Sequence, residues 1–422
     1  MAGEQPALPK EQVYQDPAFI DAYREANADV ISRLDLVEGS EQWNENVNNV
    51  IVVLCASRSG SSLIFNALSS TGQVAAPAGE HEAWLSLTEN KYPFIDSDDT
   101  AGVVQQKQRL LQLIRNDLLV RDSQATGEVL RQQLWNRAVI RRQEEDPGFD
   151  RTLLLLLETG VFNEGNWAQV NREVERIPPK PQPTRIADFQ DRSFGIPLEN
   201  PPLITLPLAR LATDDELSEK TLLFKSPSDV YRPGFYEELF PNASVVYIHL
   251  TRGFVQTTNG LMDGWQKNEI DFISNPVGVT KPLEIEDYSI TDMTRTYWCF
   301  DLFEGWEDFT DRSLLEVCTQ QWLAAHRSAV ERFTPTQQLT FEHFYSDPGG
   351  FYKELTELTG VDTTKYDWSQ SVMSTETPSA YRWLKRGTTF KNLGKNLPGA
   401  LLKEVVELQL ELGYSMEEET WH

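Results

Sequence analysis

The sequence predicts an α/β fold with a central, mostly parallel sheet flanked by helices. Three observations carry that expectation. Short apolar runs rich in β-branched residues alternate with segments of helical spacing. The clearest of these runs is continuously apolar rather than alternating, as strands covered on both faces are. A polar, glycine-bearing loop, Ser57-Arg58-Ser59-Gly60-Ser61-Ser62, joins that run to a helix. That is the setting a phosphate-binding loop requires.

Taken in order, residues 1–46 read as a polar, helix-forming lead-in whose Tyr23, Ala26 and Val30 share one face. Val47 to Ala56 (VNNVIVVLCA) reads as a buried strand. Leu63 to Leu68 continues after the loop as a helix, with Gly72 placed as its stop. Residues 100–146 carry Gln, Arg and Leu at helical spacing and predict one or two amphipathic helices. Residues 177–208 are Pro-rich and cannot form regular helix, so they read as an excursion over the surface.

A second unit opens at Thr221. Leu222 to Lys225 reads as a strand, and Tyr236 to Phe240 as a short helix ended by Pro241-Asn242. Ser244 to Leu250 reads as a strand closed by Thr251-Arg252-Gly253, with a helix from about Phe254. Gln320 to Arg332 reads as a helix, Gln338 to Phe341 as a strand and Phe351 to Leu358 as a helix. The domain expectation is a helical lead-in over 1–46 and one domain over 47–422. An insertion at about 91–215 would form a substrate-side subdomain or lid.

The chain of 422 residues is 40% apolar, with a mean hydropathy of −0.43. It holds ample material for a core. Its formal net charge of −26 repels nucleic acid and anionic membranes unless a basic patch is concentrated locally. No nucleic-acid partner is therefore expected. Cys55, Cys299 and Cys318 are too few for a disulfide framework and lack metal-type spacing, so no metal is expected. No apolar run approaches the roughly 18–20 residues of a membrane span. Met1-Ala-Gly-Glu-Gln-Pro lacks the basic start and apolar core of a signal peptide. A cytoplasmic monomer or homodimer is the expectation.

The chemistry begins at the loop. Backbone N–H groups at a tight turn and a helix N-terminus make an anion site. Gly60 permits close approach of the backbone. Ser59, Ser61 and Ser62 offer hydroxyls, and Arg58 offers a planar cationic fork. Gly-Lys-Ser/Thr is absent, so the loop is not a Walker A motif. Gly-x-Gly-x-x-Gly is absent too, which disfavours a dinucleotide fingerprint.

At these residues the chain resembles the sulfotransferases that use 3′-phosphoadenosine 5′-phosphosulfate (PAPS). Their first signature is a strand, a Lys/Arg-Ser-Gly-Thr/Ser-Thr/Ser loop and a helix, and Arg58-Ser59-Gly60-Ser61-Ser62 is similar to it. The resemblance implies that this loop holds the 5′-phosphosulfate. Their second signature is a strand ending in Arg, as Val245 to Arg252 does. It implies that Arg252 and a hydroxyl on the next helix hold the 3′-phosphate. The family's serine position is occupied by Gly260, leaving Thr257 or Thr258 to supply that hydroxyl. Lys385-Arg386-Gly387, followed by Phe390-Lys391-Asn392, resembles the family's Arg-Lys-Gly segment, which covers the nucleotide. It is also a basic spot in an acidic chain, as a polyanionic ligand needs. Phe224-Lys225-Ser226-Pro227 and Leu339 to Pro348 resemble two further family segments. By this resemblance the product would be 3′,5′-ADP.

Sulfuryl transfer needs a base for the attacking nucleophile and cations for the leaving oxygen. Arg58 and Lys225 are the candidate cations. The histidine base of many family members is replaced by Pro227. Some bacterial members, of the trehalose sulfotransferase type, instead place a Glu after the first helix. Thr71-Gly72 through Pro77 to Glu80-His81-Glu82-Ala83-Trp84 resembles that pattern. Glu80, Glu82 and, third, His81 are the candidate bases. The expected acceptor is a hydroxyl or amine of a small molecule. A cationic natural product is suggested by net charge and by Glu80, Glu82 and Asp263. Trp84, Trp265, Trp298, Trp306 and Trp322 read either as core or as pocket lining. The competing readings are a P-loop phosphotransferase or NTPase and a non-catalytic nucleotide-binding module.

Overall fold

The computed structural model describes residues 17–40, 42–77, 79–98, 103–122, 132, 135–136, 139–140, 209–266, 273–275, 277, 283–288, 298–333, 336–367 and 381–418. The proline-rich stretch at 177–208 lies outside them, as does most of the predicted helical region beyond residue 122.

Five strands form one parallel sheet: β1 (Asn49–Cys55), β2 (Val74–Ala75), β3 (Thr221–Phe224), β4 (Ser244–Thr251) and β5 (Thr336–Thr340). Their order is β2-β3-β1-β4-β5. β1 lies at the centre, with Asn49 opposite Thr221 on one side and Ser244 on the other. The continuous apolar run has its cause here. Val50, Val52 and Leu54 enter one core, while Ile51, Val53 and Cys55 enter another on the opposite face. Each such buried side chain contributes about 1.5–3 kcal/mol.

Helix α1 (Pro17–Arg33) buries Tyr23 and Val30 of the predicted face, with Ala26 at its margin. α2 (Ser61–Ser69) follows the loop, capped by Gly60 in the left-handed region at φ 91°. α3 (Glu82–Leu87) and α4 (Lys107–Arg115) follow. α5 (Phe254–Gln266) comes straight after β4. α6 (Leu314–Arg332) starts earlier than the sequence predicts because Ser313 and Glu316 form a capping box ahead of it. α7 (Pro348–Thr359) and α8 (Gly399–Glu411) complete the longer helices. Leu119–Arg121 pairs antiparallel with Ala209–Leu211, two segments inside the expected insertion at about 91–215.

The fold positions a site by strand polarity. β1 ends in the Ser57 loop, β3 in Lys225, β4 in Arg252 and β5 in Phe341. All four ends lie at the carboxyl edge of the sheet, and the neighbours of β1 run to different sides. That edge is where open α/β sheets bind ligands.

Candidate active site

The loop is built around two left-handed residues, Arg58 at φ 69° and Gly60 at φ 91°. Such backbone turns successive N–H groups to one side, which suits an anion. A Cβ added at Gly60 would lie 2.3 Å from the Phe341 ring, so the position demands glycine on space as well as on φ. The Ser59 hydroxyl is buried and has no hydrogen-bond partner among the described residues.

Arg252 closes the neighbouring side. Its guanidinium donates to the Arg58 carbonyl at 3.1 Å and to the Tyr345 hydroxyl at 3.3 Å. It also lies over the Phe341 ring, 4.9 Å from the centroid. Phe341 thus touches both the glycine of the loop and the arginine beside it. On α5, Thr257 donates to the Arg252 carbonyl at 3.4 Å. The Thr258 hydroxyl is buried with no partner among the described residues. Gly260 sits under the stem of Arg58, and a Cβ there would come within 3.1 Å of the Arg58 Cβ. Glycine at 260 therefore makes room for Arg58.

The basic segment meets α5 one residue away. Arg386 donates to the Asn259 side chain at 2.6 Å, to Asp263 at 2.7 Å and to Gln266 at 2.6 Å. Lys385 pairs with Asp263 as well. Burial alone raises the Asp263 carboxyl, but hydrogen bonds from Lys385 and Arg386 outweigh it and hold it below its ordinary value. Gly387 opens the short helix Gly387–Lys391.

The three candidate bases sit in different surroundings. Glu80 forms an ion pair with Lys225 and keeps 18% of its side chain exposed, against 3% for Lys225. Glu82 is buried. It pairs with Lys91, and Ser228 donates to it through both its hydroxyl and its backbone N–H. Arg232, fully buried, donates to Ser228 and forms an ion pair with Asp98 at 2.9 Å. Burial raises the Glu82 carboxyl, and the Lys91 and Arg232 cations more than offset this, holding it well below the usual range. His81 is fully buried, with Nε2 at 3.0 Å from the Tyr236 hydroxyl and 3.2 Å from Asp229. Its backbone N–H donates to Ser226 at 3.2 Å. His81 and Glu82 thus stitch their turn to residues 226–229, and this fixes Glu80 against Lys225.

Local sequence did not single out Lys91, Ser228, Arg232, Asp98, Tyr345 or Asp301. Lys91 pairs with Glu82 nine residues away, and each of the others acts on a partner far along the chain. Asp301 is the most distant. It accepts from the Ser57 hydroxyl at 3.2 Å and from the Tyr231 hydroxyl at 2.6 Å. Burial is the main cause that lifts its carboxyl to about 7, Tyr231 opposes this and the nearby Asp98 adds to it. The folded carboxyl takes up a proton between its ordinary value and about 7, so its contribution to stability falls as pH rises through that window. Trp265, Trp298, Trp306 and Trp322 are fully buried and Trp84 nearly so, which makes them core rather than lining.

No family model matches the sequence, and no curated protein matches it. Among solved structures, it is similar to the sulfotransferase domain of the Synechococcus PCC 7002 olefin synthase. The identity is 14%, over 90% of this chain and 99% of that domain, with a TM-score of 0.37. The sulfotransferase domain from the curacin biosynthetic pathway is 13% identical, over 88% of this chain and 99% of its own, with a TM-score of 0.37. Fold and site together define an α/β protein with a glycine-turned polar loop at the carboxyl edge of a parallel sheet, flanked by Lys225 and Arg252. No helix among the described residues is long and apolar enough to cross a membrane.

Proposed function

We propose that this chain transfers a sulfuryl group from PAPS to a hydroxyl or amine of a small-molecule acceptor. The observation that carries the reading is the placement of Lys225, paired with Glu80, and of Arg252 just past the ends of the two strands that flank β1. A carboxylate and a cation stand on one side of the loop, and a second cation stands on the other.

The residues present fit a nucleotide with phosphates at both ends. Ser59 and Thr258 carry buried hydroxyls with no partner among the described residues, and Gly60 leaves a cradle that a Cβ would fill. The loop N–H groups, Ser59, Ser61, Ser62 and Arg58 would hold the 5′ end. Arg252 and Thr258 would hold the 3′-phosphate. When bound, PAPS supplies an activated sulfuryl group on a phosphate leaving group. Glu80 Oε accepts the proton of the acceptor's nucleophilic atom. Lys225 Nζ, held against Glu80, offers positive charge to the bridging oxygen, and Arg58 offers a second cation. Lys385 and Arg386 brace α5 through Asp263 and close the basic side of the site.

A cationic acceptor draws no support from Glu80, Glu82 or Asp263, because each pairs with a lysine or arginine. The acceptor is therefore a small molecule without a charge requirement.

Thermal melting with nucleotides tests the reading. The expected result is stabilisation by 3′,5′-ADP, which at 100 times its Kd amounts to about 2.7 kcal/mol. Stabilisation by ATP alone would indicate a phosphotransferase instead. Arg252→Ala is expected to weaken 3′,5′-ADP about 10–100-fold while leaving 5′-AMP nearly unchanged. Equal losses for both nucleotides would remove Arg252 from the 3′ site. Mass spectrometry of a metabolite pool incubated with PAPS then identifies the acceptor by its added sulfo group.

A further inference from the structure

We infer that Asp301 is a positioning residue of the anion loop, and that its proton decides whether Ser57 points its hydroxyl hydrogen at the bound nucleotide or away from it. The inference rests on the nucleotide-binding reading above.

The geometry is specific. Asp301 lies in the segment that follows the strand Trp298–Cys299, far in sequence from the loop. It is buried, and its backbone carbonyl accepts from Trp298 at 3.0 Å and from Gln321 at 3.2 Å. Its carboxyl cannot easily swing away. Tyr231, a donor on the turn after Lys225, fixes one oxygen, and Ser57 meets the other. Asp301 therefore joins the loop to the turn behind Lys225.

The chemistry follows from donor counting. A carboxylate only accepts, so an ionised Asp301 takes the single hydroxyl hydrogen of Ser57. A protonated Asp301 can donate to Ser57 Oγ, and the Ser57 hydrogen is then free to donate to an anion. Ionisation also adds a buried negative charge beside the loop. Both effects weaken anion binding as pH rises.

Several groups face this carboxyl. Tyr231 donates to it, and Asp98 acts on it from the 94–98 segment while paired with Arg232. The Cys318 thiol on α6 is pushed well up, mainly by burial, and stays protonated. With Asp301 lifted to about 7, the change falls in the physiological range.

The test compares 3′,5′-ADP affinity, by calorimetry from pH 5.5 to 8.5, in the wild type and in Asp301→Asn. Taking the ratio of the two constants cancels the titration of the ligand's own phosphates. Expected is a ratio near one at the acid end and about tenfold tighter binding by the variant at the alkaline end. Tyr231→Phe removes a donor that favours the carboxylate, so the wild-type step should move to higher pH. A ratio flat with pH overturns the inference, as does an Asp301→Asn protein that binds more weakly by a constant factor. If Asp301→Asn fails to fold, Tyr231→Phe decides: an unmoved step overturns the inference. Absence of 3′,5′-ADP binding at every pH overturns the nucleotide reading itself, which separates the two failures.

Discussion

Glu80→Gln is expected to lower kcat about 10²–10⁴-fold, while 3′,5′-ADP binds as tightly as in the wild type or more tightly. The amide keeps the size of the side chain and loses the basic oxygen that accepts the acceptor's proton. Lys225 then faces the anion site without its carboxylate partner, so the nucleotide loses nothing. Glu82→Gln behaves differently. Glu82 is buried among Lys91, Ser228 and Arg232, and neutralising it removes the carboxylate that pairs with Lys91 in the interior. Its expected effect is a loss of about 3–5 kcal/mol in stability, read by urea unfolding. Its stabilising charge is present above the carboxyl's ordinary value and is lost as pH falls through the lowered folded value. Steady-state kinetics with any identified acceptor separates the two variants. Near-normal turnover by a folded Glu80→Gln protein would remove Glu80 as the base.

Gly60→Ala is expected to weaken 3′,5′-ADP at least 100-fold and to lower the melting temperature. Two costs add. A non-glycine residue at φ 91° is strained by about 1–3 kcal/mol. The new methyl would also lie 2.3 Å from Phe341, far inside van der Waals contact. Either the loop or the ring must move. Phe341 carries the Arg252 guanidinium on its face, so a displaced ring disturbs the 3′ side as well as the 5′ side. The double variant Gly60→Ala/Phe341→Ala removes the clash and keeps the strain. Because Phe341 is itself core, the comparison is with Phe341→Ala alone: there Gly60→Ala should cost less melting temperature than it does in the wild type, while the affinity stays low. Binding within threefold of the wild type by Gly60→Ala alone would show that the loop does not hold the anion.

Much of this architecture is legible in local sequence. A continuous β-branched run such as Val50 to Leu54 has few alternatives to a strand covered on both faces, because every side chain in it must leave water. Gly60 announces a turn that other residues resist, and the polar residues around it announce an anion site. The strand ends at Lys225 and Arg252 follow from the same reasoning, since parallel strands deliver their last residues to one edge. The apolar pattern places the start of α6 too late, because the Ser313–Glu316 capping box begins the helix ahead of it.

The roles within the site were not legible in this way. Glu80, His81 and Glu82 are adjacent, and nothing in the tripeptide ranks them. Their partners do: Lys225 for Glu80, Tyr236 and Asp229 for His81, and Lys91, Ser228 and Arg232 for Glu82. The tryptophans and the acidic residues posed the same difficulty, because burial and charge pairing are properties of contacts. The reason for glycine at 260 is likewise a contact, with the stem of Arg58 lying against it.

By itself the sequence determined the parallel sheet, the glycine-turned loop and the cations at strand ends. These depend on backbone preference and on the periodicity of apolar residues, both of which are local. Only the tertiary structure decided which carboxylate keeps access to solvent, which hydroxyls are left unpaired and which buried acid touches the loop. Those depend on long-range pairing, as when Asp301 meets Ser57 across 244 positions, and no local pattern encodes it.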